Sequence, residues 1–374
     1  KPITEYAPLY RSGDTISTQY DMSAVEKIGL LKVDFLGLSN LTVMDRGLEL
    51  IERDTGKRID IDHLTFDDPK VFELFSRGET RGIFQFESSG MRNLLRKLMP
   101  ETFEQLLQAN ALYRPGPMAS IPTFVACRHG HEKPSYLHPS LEPLLEETYG
   151  VMTFQEQVMK IANVIGGFTL AEADNLRKAM GKKRPEIMAQ YSEKFVAGAR
   201  QHGLEPHVAE QLFEQMAQFA GYGFNKSHAC GYGVIAYQEA YLKTYYPKQY
   251  MAALLTVEIG NTDKIVEYVD ECRRMNIDLL PPSINESETE FVVVDGKIRF
   301  ALAAVKNVGR KMVDAIVEER RRKGAFRSFI DFFERVDIHQ LNRQAVESLI
   351  KAGAFDCVGQ NRARMIASVE IAME

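Results

Sequence analysis

The chain has 374 residues, with 46 Lys and Arg against 51 Asp and Glu, a formal net charge of −5 at pH 7 and no tryptophan. That balance excludes a global basic field drawing the whole molecule onto nucleic acid, so any polyanion site is a local patch. The length predicts two or three domains with ample core. The four widely spaced cysteines, Cys127, Cys230, Cys272 and Cys357, argue against a disulfide framework or a zinc site and fit a reducing cytoplasm.

The first residue is Lys1, which predicts an excerpt of a longer protein or a processed product. Residues 1–28 read as an irregular lead without a signal-peptide pattern, being polar and broken by Pro2, Pro8 and Gly13. The run LLKVDFLGL then predicts a strand over 30–36, with Leu31, Val33 and Phe35 on a core face and Lys32 and Asp34 on the other. Asn40 and Thr42 are placed to cap a helix reaching about residue 54. DPKVFELFSRGE predicts a short helix opened by Pro69 and stopped by Gly78. RGIFQFES alternates and predicts a strand, and helices follow over 90–98 and 101–112. Residues 140–256 are dominated by helical spacing, as in Val158, Ile161, Ala162 and Ile165. Asp295-Gly296 between two apolar runs predicts a β-hairpin, and short helices separated by glycines close the chain. A connector is expected near 280–290, in PPSINESE. No apolar run approaches the roughly 20 residues that a membrane helix needs. The fold class is mainly α (α+β).

Five constellations carry chemistry. A carboxylate on a strand face, such as Asp34, can hold a hard cation such as Mg²⁺, and Lys32 beside it can meet a phosphate. A local ion pair on an edge strand is the simpler reading of that stretch alone. DNLRKAMGKKRPE places Arg177, Lys178, Lys182, Lys183 and Arg184 within eight residues with no acid between them. Gly181 is expected to end the helix there. Like charges at that density repel unless an anion sits among them, which points to a triphosphate or a nucleic-acid backbone over a solvated helix cap. The stretch lacks the Ser or Thr and the glycine spacing of a Walker A loop.

FAGYGFNKSHACGYG combines Gly221, Gly223, Gly231 and Gly233 with Tyr222, Phe224, Asn225, Lys226, Ser227 and His228. Aromatic faces, a cation and glycines that permit close approach suit a nucleotide. Tyr237, Tyr241 and Tyr245 then form one helix stripe, read as core rather than as a stacking ladder. ALYRPGPM presents Arg114 from a proline-bounded turn, either toward an anion or toward a helix C-terminus. Near the C-terminus, Asn307-Val308-Gly309 with the helix after it, and the glycines Gly353 and Gly359, have the shape of a helix-hairpin-helix pair, whose turn amides and helix N-terminus can dock a phosphate. An ordinary helical domain is the alternative.

Together these stretches resemble one family, the alpha subunit of bacterial DNA polymerase III, a C-family replicative polymerase. LLKVDFLGLSNLT, GIFQFESSGM, LYRPGP, YGVMTFQEQVM, LRKAMGKKRPE, FAGYGFNKSHACGYGVIAYQ, MNIDLLPPSIN and LIKAGAFD carry the likeness over nearly the whole chain. The resemblance implies the end of a palm domain over 1–40, fingers over 41–285, and a β-hairpin with a tandem helix-hairpin-helix region over 286–374. It implies that Asp34 is one of three palm aspartates holding two Mg²⁺ ions, with the palm lysine Lys32 near the reacting phosphates. Arg177 and Lys178 match cations that meet the incoming triphosphate. The second position is lysine where an Arg-Arg pair is familiar, so a point charge replaces a planar fork. Tyr222, Asn225, Lys226, Ser227 and His228 match the segment facing the incoming nucleotide, with His228 against the sugar, and Arg114 lines the same cleft. Lys182, Lys183, Arg184, Gly309, Arg310 and Lys311 would contact DNA.

The implied partners are template-primer DNA, deoxynucleoside triphosphates, and the sliding clamp and other replisome subunits of the intact protein, in the cytoplasm and without a membrane. No D-x-D strand precedes Asp34, since Asp14 and Asp21 fall in the irregular lead. The 374 residues alone are therefore expected not to extend a primer. The alternative from another class is a non-catalytic DNA-binding scaffold that grips phosphates through its helix-hairpin-helix turns. An unrelated NTPase fails for want of a phosphate loop.

Overall fold

The computed structural model describes residues 1–33, 37–182, 185–220 and 222–373; for 181–182, 185–187 and 220 it describes the backbone alone. The chain divides into two units, Lys1–Ser39 and Asn40–Glu374.

The first unit is more ordered than its sequence predicts. Strands β1 (Leu9–Ser12) and β2 (Thr15–Thr18) pair antiparallel, with Ser12 opposite Thr15, and helix α1 (Met22–Lys27) follows, capped by the Asp21 side chain. The signal was the two-residue Gly13-Asp14 link, in which Gly13 takes φ +57°. The expected strand over 30–36 does not form over its described part: residues 30–33 are in no strand, and Leu31 and Val33 are 86% and 58% exposed rather than core. A strand needs a neighbour for its amides and carbonyls, and among the described residues none is paired with this stretch. Asp34 lies outside the described residues.

The second unit begins with α2 (Ser39–Thr55), α3 (Pro69–Ser76), α4 (Ser89–Leu98), α5 (Phe103–Leu112) and α6 (Ile121–Arg128). Asp68 caps α3, Pro69 is its first residue and Gly78 turns away with φ +63°. A compact group follows: α7 (Glu142–Leu145), α8 (Gln155–Val164), α9 (Leu170–Lys182), α10 (Pro185–Gln201) and α11 (Pro206–Ala220). Helix α9 continues through Gly181, which therefore does not end it. Next are the long α12 (Lys226–Tyr245), then α13 (Pro247–Val257) and α14 (Thr262–Arg274). Strand β3 (Leu279–Leu280) runs parallel to β5 (Lys297–Arg299), which pairs antiparallel with β4 (Val292–Val294) across the expected Asp295-Gly296 turn, where φ is +49° and +73°. Helices α15 (Arg310–Lys323), α16 (Phe329–Arg335), α17 (Arg343–Lys351) and α18 (Arg362–Ala372) complete the chain. The fold is mainly α.

Among the described residues, four large apolar cores organise this unit. Helices α3–α5 and α12 share one around Phe75, Leu106, Phe124 and Tyr237. Helices α7–α11 close over Val158, Ile161, Leu176 and Phe195. Helices α2, α13 and α14 with the small sheet enclose Ile51, Tyr250 and Phe291. Helices α15–α18 bury Val313, Ile316, Phe332 and Phe355, and Ile284 of the PPSINESE stretch is buried there too, its N–H donating to the Ala354 carbonyl at 2.9 Å. Within the tyrosine stripe Tyr237 is fully buried, whereas Tyr245 is exposed and donates to Asp68 Oδ2.

The stretch 80–87 is a buried turn, not a strand. Gln85 takes φ +64°, and Ile83 and Phe86 are fully buried. Its polar groups find partners on distant helices. The Lys243 ammonium donates to the carbonyls of Glu79 and Arg81, both at 2.8 Å, and to Glu271 Oε1 at 2.7 Å. Tyr250 Oη donates to the Gly82 carbonyl at 2.8 Å, and the Phe84 N–H donates to Glu239 Oε2 at 2.6 Å. Once those groups bond elsewhere, no ladder remains for a strand.

Glu239 is wholly buried, and its other oxygen accepts from Asn40 Nδ2 at 2.8 Å. Burial pushes its carboxyl up from 4.5 to about 8. The folded state then holds this proton more tightly than the unfolded state. The contribution is full below about pH 4.5 and is lost as pH rises through about 8. In urea unfolding between pH 5 and pH 9, the stability of Glu239→Gln relative to the parent chain should climb across that window and then level off. Parallel pH curves for the two proteins would contradict the assignment.

Candidate functional site

The sequence-predicted cations and aromatics meet around one backbone contact. Phe154 and Phe224 form an isolated parallel β-bridge in which the Gln155 N–H donates to the Phe224 carbonyl at 2.9 Å. The Gln155 side chain reinforces it, its Nε2 donating to the Gly223 carbonyl at 2.8 Å. The bridge ties the start of α8 to the start of α12, across roughly seventy residues of sequence. Beneath it Phe154, Phe224, Leu107, Ala111 and Ala229 form a small buried core.

Every described nucleotide-site residue expected from the sequence, Ser227 included, stands at or near this bridge. The Arg114 guanidinium lies over the Phe224 ring at 3.7 Å. Its turn is shaped by Gly116, whose φ of +96° suits glycine and where a Cβ would come within 2.7 Å of Tyr222 Cγ. Tyr222 is half-exposed above that glycine. Arg177 projects from α9, its Nη1 donating to Gln155 Oε1 at 3.2 Å. Asn225 caps α12, its Oδ1 accepting from the His228 N–H at 2.8 Å. Lys226 stands over the Phe154 ring at 5.4 Å. The exposed His228 ring packs against Phe224, at 5.5 Å, and Tyr232, at 4.1 Å, and Phe84 packs on Tyr232 at 4.9 Å. Ser227 is exposed in the first turn of α12.

Three details differ from the sequence reading. The anion needed among the α9 cations comes from the protein itself. Asp174 accepts from Arg177 Nε and Nη2 through Oδ1, at 3.1 and 2.9 Å, and pairs with Lys178 through Oδ2 at 2.7 Å. Those bonds, Lys178 first and then Arg177, hold its carboxyl below the ordinary range. This i, i+3 and i, i+4 spacing is itself a sequence signal for such pairs. Secondly, Gly231 and Gly233 lie inside α12 and neither takes a positive φ: Gly233 serves packing, since a Cβ on it would fall 2.5 Å from Leu107 Cδ2, whereas Gly231 is exposed with nothing within 4 Å of its Cβ position. Thirdly, Glu147 and Glu156 belong to the site. Lys226 Nζ donates to Glu147 Oε2 at 2.7 Å. Glu156 receives Asn225 Nδ2 at 2.8 Å and the Lys226 N–H at 2.9 Å. Nothing local in the sequence signals either acid.

The other expected contacts lie elsewhere or outside the description. Lys183 and Arg184 are not among the described residues, and of Lys182 only the backbone is. Gly309 caps α15 with φ −83°, while the left-handed position is taken by Asn307, at φ +68°. Arg310 pairs with Glu290 Oε1 at 2.6 Å, and Lys311 is exposed. Lys32 is exposed in the first unit.

Residues 40–203 match the model of the bacterial DNA polymerase III alpha subunit finger domain, residues 1–37 the bacterial DNA polymerase III alpha NTPase domain, and residues 276–365 a helix-hairpin-helix motif. DNA polymerase III subunit alpha of Thermus aquaticus is 48% identical over 99% of this chain. The chain belongs to the bacterial DNA polymerase III alpha subunit family. The subunits alpha of Chlamydia pneumoniae and of Neisseria meningitidis serogroup B are 46% and 44% identical, over 98% and 100% of the chain. The chain spans 31%, 30% and 33% of the three relatives, about a third of an alpha subunit. Within that third, the Phe154–Phe224 bridge and all eight nucleotide-site residues expected from the resemblance fall between Arg114 and His228.

Proposed function

We propose that this chain supplies the fingers, and part of the DNA-contacting surface, of a template-directed DNA polymerase, and that the surface around the Phe154–Phe224 bridge binds the incoming deoxynucleoside triphosphate. One observation carries this: Arg114, Arg177 and Lys226, from three separate segments, converge with exposed aromatic and imidazole faces at the N-terminus of a 20-residue helix. Cations and a helix N-terminus suit a phosphate tail, and rings suit a sugar and base. Arg177 and Lys226 would hold the phosphates, with Lys178 adding a point charge. His228, packed against two rings, would stand against the sugar, and Tyr222 with Arg114 would wall the cleft.

In this proposal residues 1–40 end the palm, 41–285 form the fingers and 286–374 carry the helix-hairpin-helix region. The turn Asn307–Gly309, with Arg310 and Lys311, would meet the DNA backbone together with Lys182, Lys183 and Arg184. Template-primer DNA, the sliding clamp and other replisome subunits would be the partners, in the cytoplasm. Two Mg²⁺ ions would belong to palm carboxylates, of which Asp34 would be one. Among the described residues no three carboxylate, imidazole or thiol groups converge as a metal site, so no step here runs through the metal.

Calorimetric titration of a deoxynucleoside triphosphate into the chain tests the reading. Arg177→Ala and Lys226→Ala should each weaken binding roughly 10- to 100-fold, the worth of a charge-assisted hydrogen bond, with little change in melting temperature. A chain that binds duplex DNA with a steep salt dependence, and shows no nucleotide binding, would instead be the scaffold.

A further inference from the structure

The donors of this site already have partners within the chain. The Lys226 ammonium is taken by Glu147, Arg177 and Lys178 by Asp174, and the first free N–H of α12, with the Asn225 amide, by Glu156. Three carboxylates from three elements thus sit on the groups that a phosphate tail would use. Glu147 belongs to the turn after α7, Glu156 to the first turn of α8 and Asp174 to α9. Glu156 spans two donors at the positive end of α12, where a phosphate oxygen pair would fit.

We infer that Glu147, Glu156 and Asp174 are built-in anion place-holders, and that a polyphosphate enters this site by exchanging with them. The inference rests on the nucleotide-site reading above and adds the residues that set its affinity and selectivity. Displacement is feasible on geometric grounds. The Glu147 and Asp174 side chains are 40% and 34% exposed, so each can swing into water, where a released carboxylate is fully hydrated. The Glu147 backbone stays put, because its carbonyl accepts from Gln108 Nε2 at 2.7 Å. Asp174 and Glu156 are likewise anchored on helices.

Two consequences follow from charge. The place-holders neutralise the cations while the site is empty and keep them oriented, which lowers the reorganisation needed on binding. They also impose a threshold. A monovalent anion gains nothing by replacing a carboxylate of equal charge, whereas a triphosphate offers several charges on one tether and displaces the carboxylates together. Selection for a long phosphate chain over a single phosphate then comes from the acids as much as from the bases.

The probe is inorganic triphosphate, with orthophosphate beside it, titrated calorimetrically into the 374-residue chain and its variants. Glu147→Gln and Asp174→Asn should each tighten triphosphate binding roughly 3- to 10-fold, and Glu147→Asp, which keeps the charge, should stay near the parent value. Orthophosphate binding should strengthen in the Gln and Asn variants as well. Glu156→Gln should also tighten binding; should it lose the α12 cap and unfold, the part-exposed Glu147 carries the test. Unchanged or weaker triphosphate binding in both Glu147→Gln and Asp174→Asn, with Lys226→Ala still impaired, would overturn the exchange and leave the nucleotide site standing. Indifference of every variant, Lys226→Ala included, would remove the site and the inference together.

Discussion

Lys243→Met should cost about 3–5 kcal/mol in urea unfolding, the usual penalty for removing one partner of a buried ion pair. Lys243 and Glu271 are each about 1% exposed. The ammonium spends all three N–H groups on Glu271 Oε1 and on the Glu79 and Arg81 carbonyls. Burial, with the Arg274 and Arg92 guanidinium groups, lowers its pKa to about 7. Methionine keeps the volume but leaves two carbonyls without that donor and the Glu271 carboxylate with Arg274 as its close partner. Glu271→Gln in the Lys243→Met background should recover part of the loss, because it removes the buried charge. The effect should also reach the site. Lys243 clamps the start of the 80–87 turn, and that turn presents Phe84 to Tyr232, the ring that braces His228. A loss below about 1 kcal/mol would mean that the pair is worth no more than an exposed one.

Gly198→Ala is the second large effect, about 3 kcal/mol, at the upper end for an overpacked interior. Helix α10 crosses the turn after α8 at Gly198. A Cβ there would fall on the carbonyl group of Gly166, and it would lie 3.2 Å from the Gly166 Cα. Both sides of the contact are backbone, so no rotamer change relieves it. Gly166 is equally confined, since a Cβ of its own would lie 2.8 Å from the Ala162 carbonyl and 2.9 Å from the Phe168 ring. The two segments must therefore separate, opening the core around Ile161, Leu176 and Phe195 that carries α9 and Arg177. Thermal unfolding should show the loss, and triphosphate binding should weaken as Arg177 shifts from Gln155. An alanine variant with the parent melting temperature would refute the close crossing.

Helix boundaries and tight turns were readable because their causes are local. Asp68-Pro69 opens α3 and Asp295-Gly296 turns the hairpin through interactions spanning two to four residues. RGIFQFES failed for the opposite reason. Its alternation records which side chains are apolar, but its fate rests on Lys243, Glu239 and Tyr250, more than 150 residues away. The strand over 30–33 failed similarly, for want of a partner among the described residues, whereas the hairpin before it carried its partner two residues along. At the site, the residue types were legible and their company was not. Arg114, Arg177, Lys226 and His228 stand out as cations and an imidazole among glycines and prolines, while Glu147 and Glu156 look like any surface glutamate.

The amino-acid sequence alone determined the mainly helical class, the family likeness, and the identity of the basic and aromatic groups, because periodicity, capping and residue chemistry act within a few residues. Only the tertiary structure decided that Phe154 meets Phe224, that this contact gathers the cations onto the start of α12, and that Glu147 and Glu156 already occupy the Lys226 ammonium and the first N–H of that helix. Those pairings join groups as far apart as Arg114 and Phe224, about 110 residues along the chain, and their free energy exists only once the intervening helices have packed.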